Sequence, residues 1–228
     1  MRSRRSGIAM AVATALLAGA PPAAAANYVR APIAQYQNDR AEEIAMARSA
    51  APASISRDAT VLVLGNGGYE TAATGTNGFT CLVFRGWDAA LNDPEFWNPK
   101  VRAPICLNAA ATHSVLPAYL QRSRWVLAGQ DLPAIRAQTK AAVASGEIGA
   151  PAAGAMCYMM SKQGYLSDKA PHWHPHLMYF LPKTDSAAWG ANLPGSPMVA
   201  LADPDEPVTV FLTPVPTWSD GTMGPMEM

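Results

Sequence analysis

The spacing of apolar residues divides the chain into a helix, a group of strands, a helical middle and a second group of strands. Asn38 or Asp39 stands as an N-cap ahead of Glu42 and Glu43, whose charges suit a first turn, and an Ala/Ile/Met run continues to Ser49. These signals predict one helix, stopped by Pro52. Residues 60–64, 69–73 and 79–85 are strand-like runs, separated by Asn66-Gly67 and by a stretch ending in Asn77-Gly78. Asn-Gly pairs accept the positive φ of tight hairpin turns, so a three-stranded antiparallel meander is expected. Residues 87–107 follow neither period and are rich in proline and aromatic side chains. They predict an ordered surface loop held by Trp87, Phe96 and Trp97.

A helical period returns in residues 117–127, and more clearly after Asp131. There Asp131 caps, Pro133 suits a first turn, Leu132, Ile135, Thr139, Ala142 and Val143 form one stripe, and Gly146 is the stop. Beyond a Gly/Ala/Pro connector lie four apolar runs, at 155–160, 177–181, 198–202 and 208–212, the last two joined by Asp203-Pro204-Asp205-Glu206. Helices inserted between two groups of strands predict a single α+β domain with a largely antiparallel sheet. The domain is expected to span residues 38–216, after an N-terminal tether (27–37) and before a flexible Met-rich tail (217–228).

The first residues change the expected compartment. Arg2, Arg4 and Arg5 precede an apolar run at 8–20 and four alanines at 23–26, the pattern of a secretory signal peptide over residues 1–26. Gly7 stands where a twin-arginine signal favours a large apolar residue, so the general secretory route is preferred. The expectation is an exported protein, periplasmic or secreted, with no membrane span. The whole chain balances 17 basic against 17 acidic residues. Without the leader the count is 14 against 17, which predicts no nucleic-acid partner.

An oxidising destination makes a disulfide the default for three cysteines. Pairing Cys81 with Cys106 clamps the stretch holding Pro94, Pro99 and Pro104 and contributes roughly 3 to 4 kcal/mol in the chain-entropy model. Cys157, among Met156, Tyr158, Met159 and Met160, reads as a buried thiol, with a soft metal ligand as its functional alternative.

Chemistry concentrates in His172-Trp173-His174-Pro175-His176, which holds three of the four histidines. In an extended chain alternate residues share a face. That places His172, His174, His176 and Met178 on one side as a site, and Trp173, Leu177, Tyr179 and Leu181 on the other as core. Neutral imidazoles at i and i+2 suit Zn or Cu. His172 and His176 are about 13 Å apart along an extended backbone, so three ligands require a bend at Pro175. His113, Asp168 and Met178 are candidate further ligands, and Met178 turns the choice toward Cu. The plain alternative is a row of histidines at a strand edge, bonded to backbone and water. Three functions follow from this pattern: an exported small-ligand or transition-metal-binding protein, a metal-assisted periplasmic hydrolase with Asp168 as base, or a structural or interaction module.

Several phrases resemble ones in exported bacterial proteins of unassigned function: Glu43-Ile44-Ala45 with Ser49-Ala50-Ala51-Pro52, Asn77-Gly78-Phe79-Thr80-Cys81, and the His-Trp-His-Pro-His-Leu-Met run. The resemblance implies export and a single domain and no activity. His172 and His174 also resemble the first histidine pair of cupins, but the glutamate and the later histidine of that family have no counterpart, and a helical middle does not suit a β-barrel. Tyr158 and Lys162 match the Tyr-x-x-x-Lys of short-chain dehydrogenases. Gly65-Asn66-Gly67-Gly68, however, opens a strand rather than a helix, so the phosphate-binding context is missing.

Overall fold

A computed structural model of the chain describes residues 28–168 and 173–225. The expected signal peptide, His172 and the last three residues lie outside them. Asp39 is the cap of the first helix, α1 (Arg40–Arg48): its carboxylate accepts the Ala41 and Glu42 N–H groups, with Glu42 and Glu43 in the first turn and Arg48 in the last. Each charge opposes the helix dipole at its own end. Ahead of it, in the segment expected as a tether, Tyr36 is fully buried. After Pro52 a single further turn, α2 (Ala53–Ser56), leads into β1 (Thr60–Gly65).

Asn66-Gly67 forms the expected tight connection from β1 to β2 (Gly68–Ala73), closing an antiparallel pair in which Gly65 opposes Gly68. The third run, β3 (Thr80–Phe84), does not continue a meander. It lies on the other side of β1 and runs parallel to it. The connection crosses the start of β1, where Thr76 N–H donates to Asp58 O and Thr60 N–H to Phe79 O. Gly75 permits the crossing, since a Cβ there would stand 2.2 Å from the Ala59 carbonyl carbon. Burial supplies the reason for the exchange. β1 and β3 are apolar on both faces, while β2 carries exposed Glu70 and Thr71, so β2 takes the sheet edge and the two apolar strands pair inside.

The stretch expected as one surface loop is also different. Trp87, Leu91 and Phe96 are buried, and residues 103–107 form an interior strand, β4 (Ala103–Leu107), antiparallel to β3. Pro104 hid this strand, because proline removes a ladder donor. The proline is tolerated because pairing on the far side of β4 stops at Cys106, before Pro104 is reached.

Three helices follow: α3 (Ala109–Ser114), capped by Asn108, α4 (Leu116–Leu127) and α5 (Leu132–Ser145). In α5 Asp131 accepts from Ala134 N–H, Ile135, Thr139 and Ala142 are buried, and Gly146 ends the helix at φ 81°. The left-handed residue is the reason glycine stands there. Then come β5 (Met156–Met159), β6 (His176–Pro182), β7 (Val199–Ala202) and β8 (Val208–Pro214). All eight strands form one sheet in the order β2-β1-β3-β4-β5-β6-β8-β7, antiparallel at every joint but β1–β3. The fold is α+β. Among the described residues no helix is long and apolar enough to cross a membrane.

Each face of the sheet has its own core. On one face Leu82, Phe84, Ile105, Leu107, Cys157, Met159 and Phe180 pack with α3 and α4 residues. On the other, Val61, Cys81, Val83 and Cys106 pack with α1. Cys81 and Cys106 are direct cross-strand partners with Cα atoms 4.0 Å apart, and they are disulfide-bonded. Cys157 is a buried free thiol on the opposite face, so the sheet itself separates it from the disulfide. Burial in apolar surroundings pushes that thiol far up from its ordinary range.

Candidate functional site

The histidine segment is held by two anchors before β6 begins. Trp173 is buried, and its indole N–H donates to Ser161 O at 2.5 Å. Its ring lies so close to Gly164 that a Cβ there would come within 2.2 Å of the indole. Pro175 is the second anchor: Val215 N–H donates to its carbonyl at 2.8 Å, and its ring rests against Gly224. Between and after these anchors stand His174 and His176.

His176 is 8% exposed, and its ring meets Trp173 edge-on at 5.4 Å. Nδ1 lies 2.7 Å from the His174 carbonyl oxygen. A carbonyl can only accept, so Nδ1 carries the proton and Nε2 keeps its lone pair. Burial lowers the pKa of the ring, opposed by the bond to His174, and the nearby His174 charge lowers it further. The result is a neutral imidazole with a fixed tautomer, the state in which histidine binds a metal. His174 is half-buried.

Trp173 joins the core as expected, but within β6 the faces are the reverse of those expected. His176, Met178 and Phe180 turn toward the α3/α4 core, while Tyr179 is 37% exposed on the other side. Both faces of this strand carry comparable apolar residues, and the helical layer, which decides between them, is set by distant packing. Register then brings sulfur beside the imidazole: Met159 is the direct partner of His176, and Cys157 that of Met178. Directly opposed residues have Cβ atoms about 4.5–5.5 Å apart on one face. The sequence signal for this was the Met-rich run around Cys157, read above as the surroundings of a buried thiol with a soft metal ligand as its alternative.

His113 is exposed on α3, its Nδ1 2.6 Å from Ala109 O, so it too leaves Nε2 free. Asp168 is exposed and fully engaged: it accepts from the Tyr28 hydroxyl at 2.7 Å, from Lys100 Nζ at 3.1 Å and from the Tyr165 hydroxyl. The hydrogen bonds from Tyr165, Tyr28 and Lys100 hold its carboxyl down to about 2. Such a carboxylate is a poor acceptor of another proton. Among the described residues no three His, Cys, Asp or Glu side chains gather as a metal cluster, so neither His113 nor Asp168 joins His174 and His176 in one.

No family model, curated protein or solved structure matches the chain.

Buried charge forms a second concentration of chemistry that sequence reasoning missed. Arg85 Nη2 donates to both oxygens of Glu43 at 2.8 Å, with Arg85 Nε on Tyr36 O. Asp88 lies next to it, accepting from Arg85 N–H at 2.8 Å and the Tyr69 hydroxyl at 3.2 Å. Ser123 receives the Trp87 indole N–H at 3.0 Å and approaches the other Asp88 oxygen. Arg122, in α4, donates to Trp87 O and Ala89 O and pairs with Glu206.

Burial pushes the Asp88 carboxyl up to about 6, from an ordinary 3.8, against the lowering effects of the Arg85 N–H and of the Arg122 and Arg85 cations. The native state therefore binds this proton more tightly than the unfolded chain. Its contribution to stability is full below about 4 and is lost as pH rises through about 6. Two pKa units correspond to about 3 kcal/mol. Urea unfolding of wild type and Asp88→Asn across that window should show the wild type losing stability relative to the variant by an amount of this order. A difference that stays flat with pH would remove Asp88 from the titration.

Proposed function

We propose that the protein is an exported binding protein for a soft transition-metal ion, with His176 Nε2 as its principal ligand and His174 as the second. The observation that supports this is the His176 hydrogen bond, which leaves Nε2 unprotonated and pointed by a ring fixed between Trp173 and the strand. Met159 and Met178 on the same face add thioether sulfur, which favours Cu(I) over Zn. Metal-binding imidazoles are commonly oriented in this way by a backbone carbonyl on the other nitrogen. Export accords with the Cys81–Cys106 disulfide, since such bonds persist in oxidising compartments.

The test is a titration of the leaderless protein with Cu(I), Zn(II) and Ni(II), by competition with a chromogenic chelator, for wild type, His176→Ala and His174→Ala. One Cu(I) per chain is expected. Loss of His176 should weaken binding by more than the roughly 10–100-fold typical of an orienting residue, and loss of His174 should weaken it less. Wild type that takes up no metal, or a His176→Ala protein that binds as well as wild type, would refute the proposal.

A further inference from the structure

A second site, independent of the histidines, lies where α4 faces the α5–β5 connector. Arg122 is 2% exposed in the middle of α4, and its terminal nitrogens make three hydrogen bonds to protein: Nη1 donates to the carbonyls of Trp87 and Ala89, and Nη2 to Glu206. Nε is different. Among the described residues it is the one buried side-chain nitrogen or oxygen with no hydrogen-bond partner. Glu206 gives one oxygen to Arg122, and its second makes no hydrogen bond to a described residue. A buried donor without a partner and a second, water-reached carboxylate oxygen thus stand on two residues already in contact.

Both residues line a small cleft whose remaining walls are mostly apolar, among them Val115, Ala118, Ile148 and Val208, with the Ser114 hydroxyl already engaged by Ala110 O and Ala152 N–H. The ring of Tyr119 closes one side beneath the guanidinium, at 5.7 Å. Free space here is about 30 Å³, enough for the head of a small molecule and not its body. Ile148 also lines a wider groove of about 280 Å³, which runs along α4 past Leu120, Gln121 and Arg124 to Glu147. Head and body of one ligand therefore have adjoining places on either side of Ile148.

The charges select the head. Arg122 is already neutralised by Glu206, and the carboxylates of Asp88 and Asp203 also act on it. An anionic head would add another negative charge to that set, and a cationic one would meet the guanidinium. A neutral group that both accepts and donates satisfies the pair. We infer that this cleft binds the amide group of a small neutral molecule, its carbonyl accepting from Arg122 Nε–H and its N–H donating to Glu206, with an apolar substituent leading past Ile148 into the groove.

Arginine Nε–H gives its own resonance in ¹H–¹⁵N spectra, so Arg122 reports directly. The probes are isobutyramide, isobutyrate and 3-methylbutan-2-one, which share a branched apolar body and differ in the head. Isobutyramide should shift the Arg122 Nε–H signal saturably, the ketone more weakly because it lacks the N–H, and isobutyrate least. Ala118→Leu lengthens a partly exposed cleft wall with a good helix former, so it fills the cleft without removing Arg122, and it should abolish the isobutyramide shift. Arg122→Lys should abolish binding too, read by shifts of the Ile148 methyl groups. His176→Ala should leave all three titrations unchanged, which separates this site from metal binding. No saturable shift with any probe, tighter binding of isobutyrate than of isobutyramide, or undiminished binding in Ala118→Leu would each overturn the inference.

Discussion

Replacing Glu43 by alanine is expected to lower the unfolding free energy by about 3–5 kcal/mol, the cost of leaving one member of a buried ion pair unopposed. The side chains of Arg85 and Glu43 are 0% and 3% exposed, so water cannot replace the lost carboxylate. Arg85 would keep its bonds to Tyr36 O and Val83 O, which satisfy hydrogen-bonding groups but carry no full negative charge. The damage should extend further, because Glu43 also accepts from Asn38, and Asn38 accepts from Arg102 Nε. Arg102 ties the segment before α1 to the start of β4 through Gln35 O and Gln37 O. Glu43→Gln keeps an acceptor without the charge and should fall between alanine and wild type. For a domain whose whole stability is about 5–15 kcal/mol, urea melts will separate the three proteins. An alanine variant within about 1 kcal/mol of wild type would show that the pair is not holding α1 to the sheet.

Removing the disulfide should cost about 3–4 kcal/mol, and Cys81→Ala with Cys106→Ala is the cleanest form of the experiment. The two residues are 25 apart in the chain, both are fully buried, and they sit directly opposite on β3 and β4 under α1. For a chain of this size the loss corresponds to a melting temperature lower by roughly 6–16 °C. Because the sulfurs have no solvent exposure, dithiothreitol should reduce the bond slowly in native buffer and quickly in urea. Fast reduction of the folded protein would mean that this face opens locally. Cys157 should stay unreactive to alkylation under the same native conditions, since it is buried on the opposite face and its thiolate is strongly disfavoured.

Features written in short stretches of chain were legible. Asp131, Pro133 and Gly146 marked α5 almost to its last residue, because a cap, a preset φ and a left-handed stop act within a few residues of themselves. Asn66-Gly67 marked the β1–β2 turn for the same reason. The pairing of Cys81 with Cys106 was also legible, although the expected clamp on a loop proved to be a bond between neighbouring interior strands. β4 was not: it is buried on both faces and therefore has no alternation to read, and Pro104 argues locally against a strand. At the histidine site the period of two correctly implied that His176 and Met178 share a face, yet it carried no sign of which face the helices would cover.

The sequence by itself determined the α+β class, the ends of α1 and α5, one tight turn, the disulfide pair and the place where histidines gather, because each depends on nearby residues or on composition. Tertiary structure alone decided that β3 would pair in parallel with β1, that Met159 would stand opposite His176, that Glu43 would find Arg85 42 residues away, and that Arg122 would find Glu206 84 residues away. These pairings are set by the path of the whole chain. A buried charge or a sheet face must be matched by whatever that path brings near it, and no local preference of backbone or side chain records the path.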